Sequence, residues 1–162
     1  MSTQQETYHM HPIGYIRQSE QDFFIEILEP YRPALKGLDQ FGHVQVFWWF
    51  HQHDNAEYRG ILEAELPYAP PGTVFGMFAC RGPVRPNLIG ITTCSVLSVD
   101  VDKGIVVIPW IDAAPDTPIL DLKPYEPSSD RVRDVQTPEW MAHWPQWLED
   151  SADFDWASVG LG

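Results

Sequence analysis

A proline-rich segment carries the densest set of side chains suited to binding an anion or a polar edge. Residues 81–87 read Arg-Gly-Pro-Val-Arg-Pro-Asn and present two guanidiniums and a carboxamide. Prolines restrict such a loop, and a rigid loop loses little entropy on binding. Arginine recognises carboxylates and phosphates through paired hydrogen bonds, and Asn can donate and accept. The segment predicts either an anion-binding loop or a structural turn anchored by its arginines.

A second segment, residues 112–125, places carboxylates and a lysine among prolines. It reads Asp-Ala-Ala-Pro-Asp-Thr-Pro-Ile-Leu-Asp-Leu-Lys-Pro-Tyr, which is too rigid for a plain linker. The alternative interpretation is a solvated loop with an exposed ion pair, which contributes little stability. The pattern alone leaves both interpretations open.

Paired histidines raise a metal hypothesis. His9 and His11, and again His51 and His53, would each lie on one face of an extended chain. The first pair lies close to the amino terminus, where chain ends fray. We therefore predict that the protein has no functional metal. Further available ligands are His43 and Cys94.

Composition predicts one soluble globular domain rich in β-structure. The 162 residues include 23 acidic and 10 basic side chains, a net charge of −13, which argues against a general nucleic-acid-binding module. The 15 prolines and 11 glycines limit long helices, while 7 Trp, 6 Tyr and 8 Phe suit sheets. No apolar stretch approaches the roughly 20 residues of a membrane span, so we expect a cytoplasmic protein. We expect free thiols rather than a disulfide at Cys80 and Cys94.

Short strands separated by Pro and Gly must position these segments. A small closed or nearly closed β-barrel of six to seven strands, with short peripheral helices, would leave few exposed strand edges. We place this barrel at residues 1–126, with a tight hairpin at residues 101–105 and a short helix near residues 33–38. The predicted strands are residues 23–29, 43–51, 60–66, 73–79, 89–101 and 104–110.

The remaining residues, 127–162, are predicted to form an acidic, Trp-rich clasp rather than an independent domain. Thr137-Pro138-Glu139 is typical of a helix start, with Thr as the N-cap. Trp140, Trp144, Trp147 and Leu148 then recur at helical spacing, although Pro145 makes one long helix unfavourable. We expect these tryptophans to pack on the barrel or on a second subunit.

An ordered series of motifs runs from residue 12 to residue 126. The series begins with Pro12-Ile13-Gly14-x-Ile16, Gly37-Leu38-x-x-Phe41-x-His43-Val44 and Phe50-His51. It continues with Gly76-x-Phe78-Ala79-x-Arg81-x-Pro83-x-Arg85-Pro86-Asn87-x-Ile89-Gly90, then Asp112, then Thr117-Pro118-x-x-Asp121-x-Lys123-Pro124-Tyr125. In this order and spacing, the series resembles the TsaA-like family, whose characterised members are called TrmO.

The resemblance implies an S-adenosylmethionine-dependent methyltransferase built on a small β-barrel and working as a homodimer. Family members methylate N6 of a threonylcarbamoylated adenosine beside the tRNA anticodon, so the resemblance implies a tRNA partner, with no DNA or membrane. A nitrogen conjugated in this way is a weak nucleophile, so a base should help to remove its proton, and Asp112 or Asp121 could do so. The implied cofactor-binding residues are His51, Gln52, Arg81, Leu88, Ile89, Asp116, Thr117 and Pro118. The implied substrate-binding residues are Arg85, Asn87, Lys123 and Tyr125, with the roles of Arg85 and Asn87 divided between cofactor and substrate.

The chain departs from the family pattern at several positions. The proline-arginine-glutamine element after the first strand has no clean counterpart, and Pro115-Asp116 replaces the usual Asp-Gly. Cys80-Arg81-Gly82 replaces Thr-Arg-Ser, and the extra C-terminal domain of longer members is not expected here. Two alternatives therefore stay open: a methyltransferase for a small metabolite or another nucleoside, and a non-catalytic S-adenosylmethionine-binding module.

Overall fold

The computed structural model describes residues 6–20 and 22–161, and these form a mainly antiparallel β-structure. Within these ranges, seven strands form one large sheet and two form a separate hairpin. The strands of the large sheet are β1 (Gly14–Gln18), β2 (Phe23–Ile27), β3 (His43–Trp49), β6 (Ile89–Ser95), β7 (Ser98–Asp100), β8 (Ile105–Ile108) and β9 (Pro118–Pro124). The hairpin strands are β4 (Glu63–Glu65) and β5 (Val74–Gly76). The order of strands in the large sheet is β6-β3-β9-β1-β2-β8-β7.

The helices are short and lie around the sheet. The α-helices are α1 (Ala56–Gly60) and α2 (Pro127–Asp130). The 3₁₀ helices are Glu29–Leu35, Leu38–Gln40, His51–His53, Met77–Ala79, Glu139–Met141, Leu148–Asp153 and Trp156–Val159. None of the helices within residues 6–20 and 22–161 has the length and apolar character needed to cross a membrane.

The two edges of the large sheet are joined by adjacent residues. β6 and β7 lie at opposite edges, yet only Val96 and Leu97 separate them in sequence. Val96 N–H donates to Gly42 beside β3, whereas Leu97 N–H donates to Val107 of β8, both at 2.9 Å. A flat seven-stranded sheet would place its edges about 29 Å apart. The sheet must therefore curl until its two edges meet at this corner.

The core fills the inside of the curled sheet. Alternate residues of β3 are buried, as expected for a strand with one face on the core. Seven fully buried aliphatic side chains of this core come from five different strands, which makes one contiguous apolar interior: Ile16, Ile25, Val44, Val46, Val106, Ile108 and Ile119. Cys94 joins this core as a free thiol, and burial raises its pKa to about 12, so it stays protonated. The prediction of free cysteines is confirmed.

The predicted mainly β fold is confirmed, and of the predicted closed or nearly closed barrel the closed form is not found. Among the described residues no ladder of hydrogen bonds joins β6 to β7, so the sheet curls without closing. The predicted hairpin at residues 101–105 is present between β7 and β8, where Gly104 has a left-handed φ of 73°. Gly104 N–H also donates to Val101 C=O at 3.3 Å, which closes this turn.

Two strands were absent from the strand prediction. One is β1, and the other is β9, whose terminal prolines and charged residues favour a rigid loop at the level of sequence. Pro118 and Pro124 stand at the two ends of β9, where a missing N–H is tolerated, and Ile119 to Lys123 lie between them. β9 is nevertheless an interior strand, paired with β1 on one side and with β3 on the other.

The carboxy-terminal segment packs tryptophan side chains on the small hairpin and on the loop that joins its strands. Trp140 contacts both Tyr68 and Phe75, with ring centroids 5.9 and 6.0 Å apart, and Trp144 contacts Tyr68 at 5.7 Å. Burial raises the pKa of the Tyr68 phenol in this aromatic cluster. The predicted helix start at Thr137 is wrong: the 3₁₀ turn begins at Glu139, has Pro138 as its N-cap and lacks a side-chain cap.

The large sheet contains one close approach between β3 and β6. Trp48 and Gly90 are paired directly, and a Cβ added to Gly90 would lie 2.6 Å from Cε2 of the Trp48 indole. The missing side chain lets the indole lie across β6, where its Nε1–H donates to the Thr92 hydroxyl at 3.2 Å. Gly90 is therefore needed for its lack of a side chain.

We predict that Gly90→Ala destabilises the fold by displacing the Trp48 indole. Overpacking of this kind costs about 1–3 kcal/mol, measured as the free energy of unfolding in urea. Gly42→Ala is the matched control, because a Cβ at Gly42 would meet no atom within 4 Å. Equal stability of the two variants would contradict this account of Gly90.

Candidate functional site

An open cleft of about 470 Å³ lies at one end of the curled sheet. Three separate segments line it. They are residues 48–53, which comprise the last two residues of β3 and the turn after it, the start of the proline-rich loop at Arg81-Gly82-Pro83, and the connection between β8 and β9. The lining residues of that connection are Trp110, Ile111, Asp112, Ala113, Ala114 and Thr117.

Strand register brings these segments together. Trp49 pairs with Ile89, so the end of β3 lies beside the start of β6. Trp48 pairs with Ile119, which brings the start of β9 to the same end. Phe50 N–H then donates to Leu88 C=O at 2.9 Å, which extends the β3–β6 ladder into the two loops. The cleft is thus built where three neighbouring strands begin or end.

Aromatic rings form much of the cleft wall. Trp48 and Phe50 contact edge to face with centroids 4.3 Å apart, and Phe50 contacts His53 at 6.4 Å. Trp110 follows β8, and 58% of its surface is exposed although it lines the cleft. Aromatic faces attract flat rings and cations, so this wall suits a ligand that carries either group.

Polar groups of both charges face the cleft. Arg81 is exposed and uses one guanidinium nitrogen to donate to Ile91 C=O at 3.1 Å, which leaves further N–H groups for a ligand. Asp112 is also exposed and lines the cleft. His51, which is half-buried, and Gln52, which is exposed, line it as well. Thr117 is 2% exposed at the cleft floor. The site can therefore bind a carboxylate at Arg81 and accept a proton or hydrogen bond at Asp112.

A brace outside the cleft holds the proline-rich loop. Arg59 of α1 donates through Nε to Asp54 at 2.8 Å and through a terminal nitrogen to Pro86 C=O at 3.1 Å. Its guanidinium lies 5.3 Å from the Trp49 ring, and Trp49 Nε1–H also donates to Asp54 at 3.1 Å. The hydrogen bond from Arg59 is the largest cause of the lowered pKa of Asp54. This brace links the end of β3 to the loop that carries Arg81.

Arg85 holds the proline-rich loop from within. Its guanidinium donates to Cys80 C=O at 3.2 Å and to Gly82 C=O at 3.3 Å. This contact matches the interpretation of the loop as a turn anchored by arginine. Arg81 and Arg85 thus differ: Arg81 faces the cleft, whereas Arg85 shapes the backbone that presents it.

Asp116 adopts the backbone conformation that the family pattern reserves for glycine. Its φ is +64°, a left-handed value that few residues other than Gly take without strain. Its carboxylate forms an ion pair with Arg17 of β1, and Arg17 also donates to Glu26 at 2.7 Å. The pKa of Arg17 is raised, and the hydrogen bond with Glu26 is its largest cause. Asp116 therefore fastens the loop before Thr117 to the sheet.

The structure brings together part of the predicted site. His51, Gln52, Arg81, Asp112 and Thr117 all line the cleft. Five predicted residues lie next to the cleft-lining segments without lining the cleft: Arg85, Asn87, Leu88, Asp116 and Pro118. Ile89 begins β6 directly after Leu88, whose side chain is fully buried.

The other three predicted residues lie elsewhere. Asp121 and Lys123 pair with each other at 2.8 Å on β9, and this hydrogen bond raises the pKa of Lys123. Tyr125 contacts His43, with ring centroids 6.3 Å apart, at the opposite end of β3 from the cleft. An extended strand rises about 3.3 Å per residue, so Tyr125 lies about 23 Å along the chain from Pro118. Of the two candidate bases, Asp112 alone lines the cleft.

Sequence reasoning missed several residues around the cleft. Trp110, Gly82, Pro83, Ala113 and Ala114 line the cleft, and the small residues leave room between its walls. The sequence signal for Trp110 was a large aromatic after Pro109 at a strand end, but sequence does not show that its side chain is exposed. Within residues 6–20 and 22–161, no three His, Cys, Asp or Glu side chains come together as a metal site.

Comparison with known proteins agrees with the motif series. Residues 1–131 match the sequence profile of the tRNA-methyltransferase O N-terminal domain. A Pyrococcus horikoshii protein named "probable S-adenosyl-L-methionine-binding protein" is 36% identical over 118 residues, which are 73% of this chain and 82% of the relative. The human tRNA (adenine(37)-N6)-methyltransferase is 35% identical over 108 residues, which are 65% of this chain and 23% of that enzyme.

A solved relative has a similar fold. The crystal structure of TrmO from Pseudomonas aeruginosa superposes with a TM-score of 0.64 at 30% identity. The alignment covers 85% of this chain and 63% of the solved protein, so this chain spans less than two thirds of that relative.

We predict that Arg59→Ala loosens the proline-rich loop. Loss of the contacts to Asp54 and Pro86 should speed hydrogen exchange at the amides of residues 80–88, because the loop then opens locally more often. Arg133→Ala is the control, since Arg133 is an exposed arginine of the carboxy-terminal segment. Unchanged protection of residues 80–88 in Arg59→Ala would refute the brace.

Proposed function

The chain belongs to the tRNA-methyltransferase O N-terminal domain family, and on that premise we propose that it is an S-adenosylmethionine-dependent methyltransferase whose reaction takes place in the cleft. The observation that carries the proposal is the meeting of Arg81, Asp112 and an aromatic wall in one cleft. These groups come from three separate segments, and the family motifs include both Arg81 and Asp112. The name of the Pyrococcus horikoshii relative supports the same cofactor.

The residues of the cleft fit the chemistry of S-adenosylmethionine. Its volume of about 470 Å³ lies within the roughly 300–1,000 Å³ typical of small-molecule sites. The rings at the end of β3 and after it suit an adenine ring and a positively charged sulfonium. Arg81 can pair with the methionine carboxylate through its free N–H groups. His51, Gln52 and Thr117 add polar groups that would orient the cofactor.

The reaction asks the protein mainly to position groups and to take up one proton. When bound, S-adenosylmethionine supplies a methyl carbon made electrophilic by the adjacent sulfonium. An acceptor nitrogen that gains this methyl must lose a proton, and the Asp112 carboxylate is placed to accept it. The braced loop keeps Arg81 in place, so the cofactor carboxylate would be held in a fixed position relative to Asp112.

Two acceptors are candidates. The first is N6 of the threonylcarbamoylated adenosine beside the tRNA anticodon, which the family resemblance suggests and the name of the human relative supports in part. The second is a small metabolite or a free nucleoside, which the net charge of −13 favours because nucleic-acid binding depends on cations. A non-catalytic module would bind S-adenosylmethionine and transfer its methyl to neither.

We also propose a homodimer. Leu62 and Phe78 lie close together, since Met77 N–H donates to Leu62 C=O, and both side chains are exposed. Phe78 is 84% exposed, which is unusual for a large apolar side chain and supports a contact surface beside the proline-rich loop. Sedimentation of a monomer at micromolar concentration would exclude this assembly.

We predict that Arg81→Ala loses cofactor affinity without unfolding the protein. Loss of a charge-assisted hydrogen bond should weaken binding of S-adenosylmethionine by about 1.5–3 kcal/mol, measured by titration calorimetry. Thermal unfolding should change little, because the Arg81 side chain is exposed and loses one hydrogen bond to Ile91. Arg133→Ala should keep full affinity, and if the unaltered protein binds neither S-adenosylmethionine nor S-adenosylhomocysteine, the proposed function fails.

We predict that Asp112→Asn slows methyl transfer while cofactor binding is retained. Removal of a general base typically lowers kcat by about 10²–10⁴, measured with labelled S-adenosylmethionine. Asp121→Asn is the matched control, because Asp121 lies on β9 and pairs with Lys123 away from the cleft. A larger loss of turnover in Asp121→Asn would reverse the assignment of the base.

A further inference from the structure

The positive charges of the chain are mostly engaged within the protein. All 10 Lys and Arg side chains lie within the described ranges. Four of them form ion pairs with carboxylates within this part of the chain: Arg17, Arg59, Lys103 and Lys123. Two more, Arg32 and Arg85, each donate two hydrogen bonds to backbone carbonyls at 3.0–3.4 Å, whereas Arg81 donates one, to Ile91 C=O at 3.1 Å.

Only one of the four remaining cations lines the cleft. Lys36 lines a different cavity together with Leu122 and Pro124, at the far end of β9 from Thr117. Arg131 and Arg133 belong to the carboxy-terminal segment, and the Arg131 guanidinium lies 5.7 Å from the Trp147 ring centroid. Arg81 is thus the single Lys or Arg side chain among the residues that line the cleft.

The proposed cofactor would use that one cation. If Arg81 holds the methionine carboxylate, the cleft lining keeps no Lys or Arg for a phosphate. The lining instead contains the carboxylate of Asp112, and two neighbouring carboxylates, Asp116 and Asp54, already form ion pairs with Arg17 and Arg59. RNA binding gains its affinity from several phosphate contacts, and the net charge of −13 opposes them.

The cleft nevertheless suits a flat, uncharged ring. The exposed Trp110, which follows β8 on a separate lining segment, offers an apolar face on which a base can stack. Asp112 can accept a hydrogen bond or a proton from an exocyclic nitrogen. We infer that the methyl acceptor is an unphosphorylated small molecule the size of a nucleoside, rather than a nucleotide within a folded RNA. This inference rests on the proposed function.

In this reaction the acceptor nitrogen forms the new bond to the methyl carbon. The electron pair of the broken carbon–sulfur bond stays on sulfur, and the nitrogen passes its proton to Asp112 and then to water. No oxidant, reductant or further co-reactant is needed. An acceptor without phosphate forms no ion pair with Arg81, so it can bind and dissociate without breaking one.

The test uses the full chain as the enzyme and compares transfer to a modified base as a free nucleoside with transfer to the same base within a tRNA. Labelled methyl transfer from S-adenosylmethionine is measured with free threonylcarbamoyladenosine and adenosine, and with a tRNA that carries threonylcarbamoyladenosine beside its anticodon. We expect at least tenfold higher kcat/KM for a free nucleoside than for the tRNA at low salt, and no inhibition by added unlabelled tRNA. Equal or faster transfer to tRNA, or transfer to neither while S-adenosylmethionine still binds, overturns the inference; loss of that binding instead overturns the proposed function.

Matched variants separate stacking from charge. Trp110→Ala should raise KM for the nucleoside about tenfold or more, because base stacking on an aromatic ring is lost, while kcat falls less. Trp147→Ala, which changes a tryptophan of similar exposure far along the chain, should leave KM unchanged. Replacing Arg131 and Arg133 by Ala should also leave transfer unchanged. A fall in transfer in this double variant would indicate phosphate contacts and would contradict the inference.

Discussion

The curl of the large sheet depends on a single covalent constraint. Residues 89–100 form β6 and β7, the two edge strands, and only Val96 and Leu97 lie between them. Since neighbouring residues must stay within a few ångströms, the edges cannot separate, and the five intervening strands must bend around the core. This bend encloses the apolar interior and gathers the loops of β3, β6 and β9 at one end. The cleft exists because those loops meet there.

The cleft divides its functions between rigid and accessible groups. Arg85 donates its hydrogen bonds to backbone carbonyls of the proline-rich loop, and Arg59 donates to Pro86 C=O and to Asp54. The loop is therefore shaped before any ligand binds. Arg81 and Asp112 keep accessible charge, and the rings after β3 supply apolar surface beside them. Preorganisation of this kind lowers the entropy lost on binding. A small number of polar groups can therefore select a ligand in a cleft whose wall is largely aromatic.

Much of this arrangement could be predicted from sequence, and the failures have physical causes. The alternation of β3 and the turn at Gly104 are local patterns, and the structure confirms both. β9 was missed because its flanking prolines resemble loop residues, although both stand at strand ends. Sequence left Asp112 and Asp121 as alternative bases, and their placement depends on the fold: Asp121 pairs with Phe47 of β3 and contacts Lys123 two residues further along β9, whereas Asp112 lines the cleft. The unusual backbone of Asp116 could be anticipated, since Asp replaces a family glycine there, but its partner Arg17 lies 99 positions away.

The central position of β9 has a consequence for how the protein is made. β3 with β6, and β1 with β2 and β8, are joined into one sheet by β9, which lies between β3 and β1. A ribosome must therefore release residues 118–124 before the halves can combine, and the inner edges of β1 and β3 stay unpaired until then. Unpaired strand edges on a nascent chain are sites of aggregation and of chaperone binding. The inner edges of β1 and β3 are therefore protected only after β9 has been synthesised.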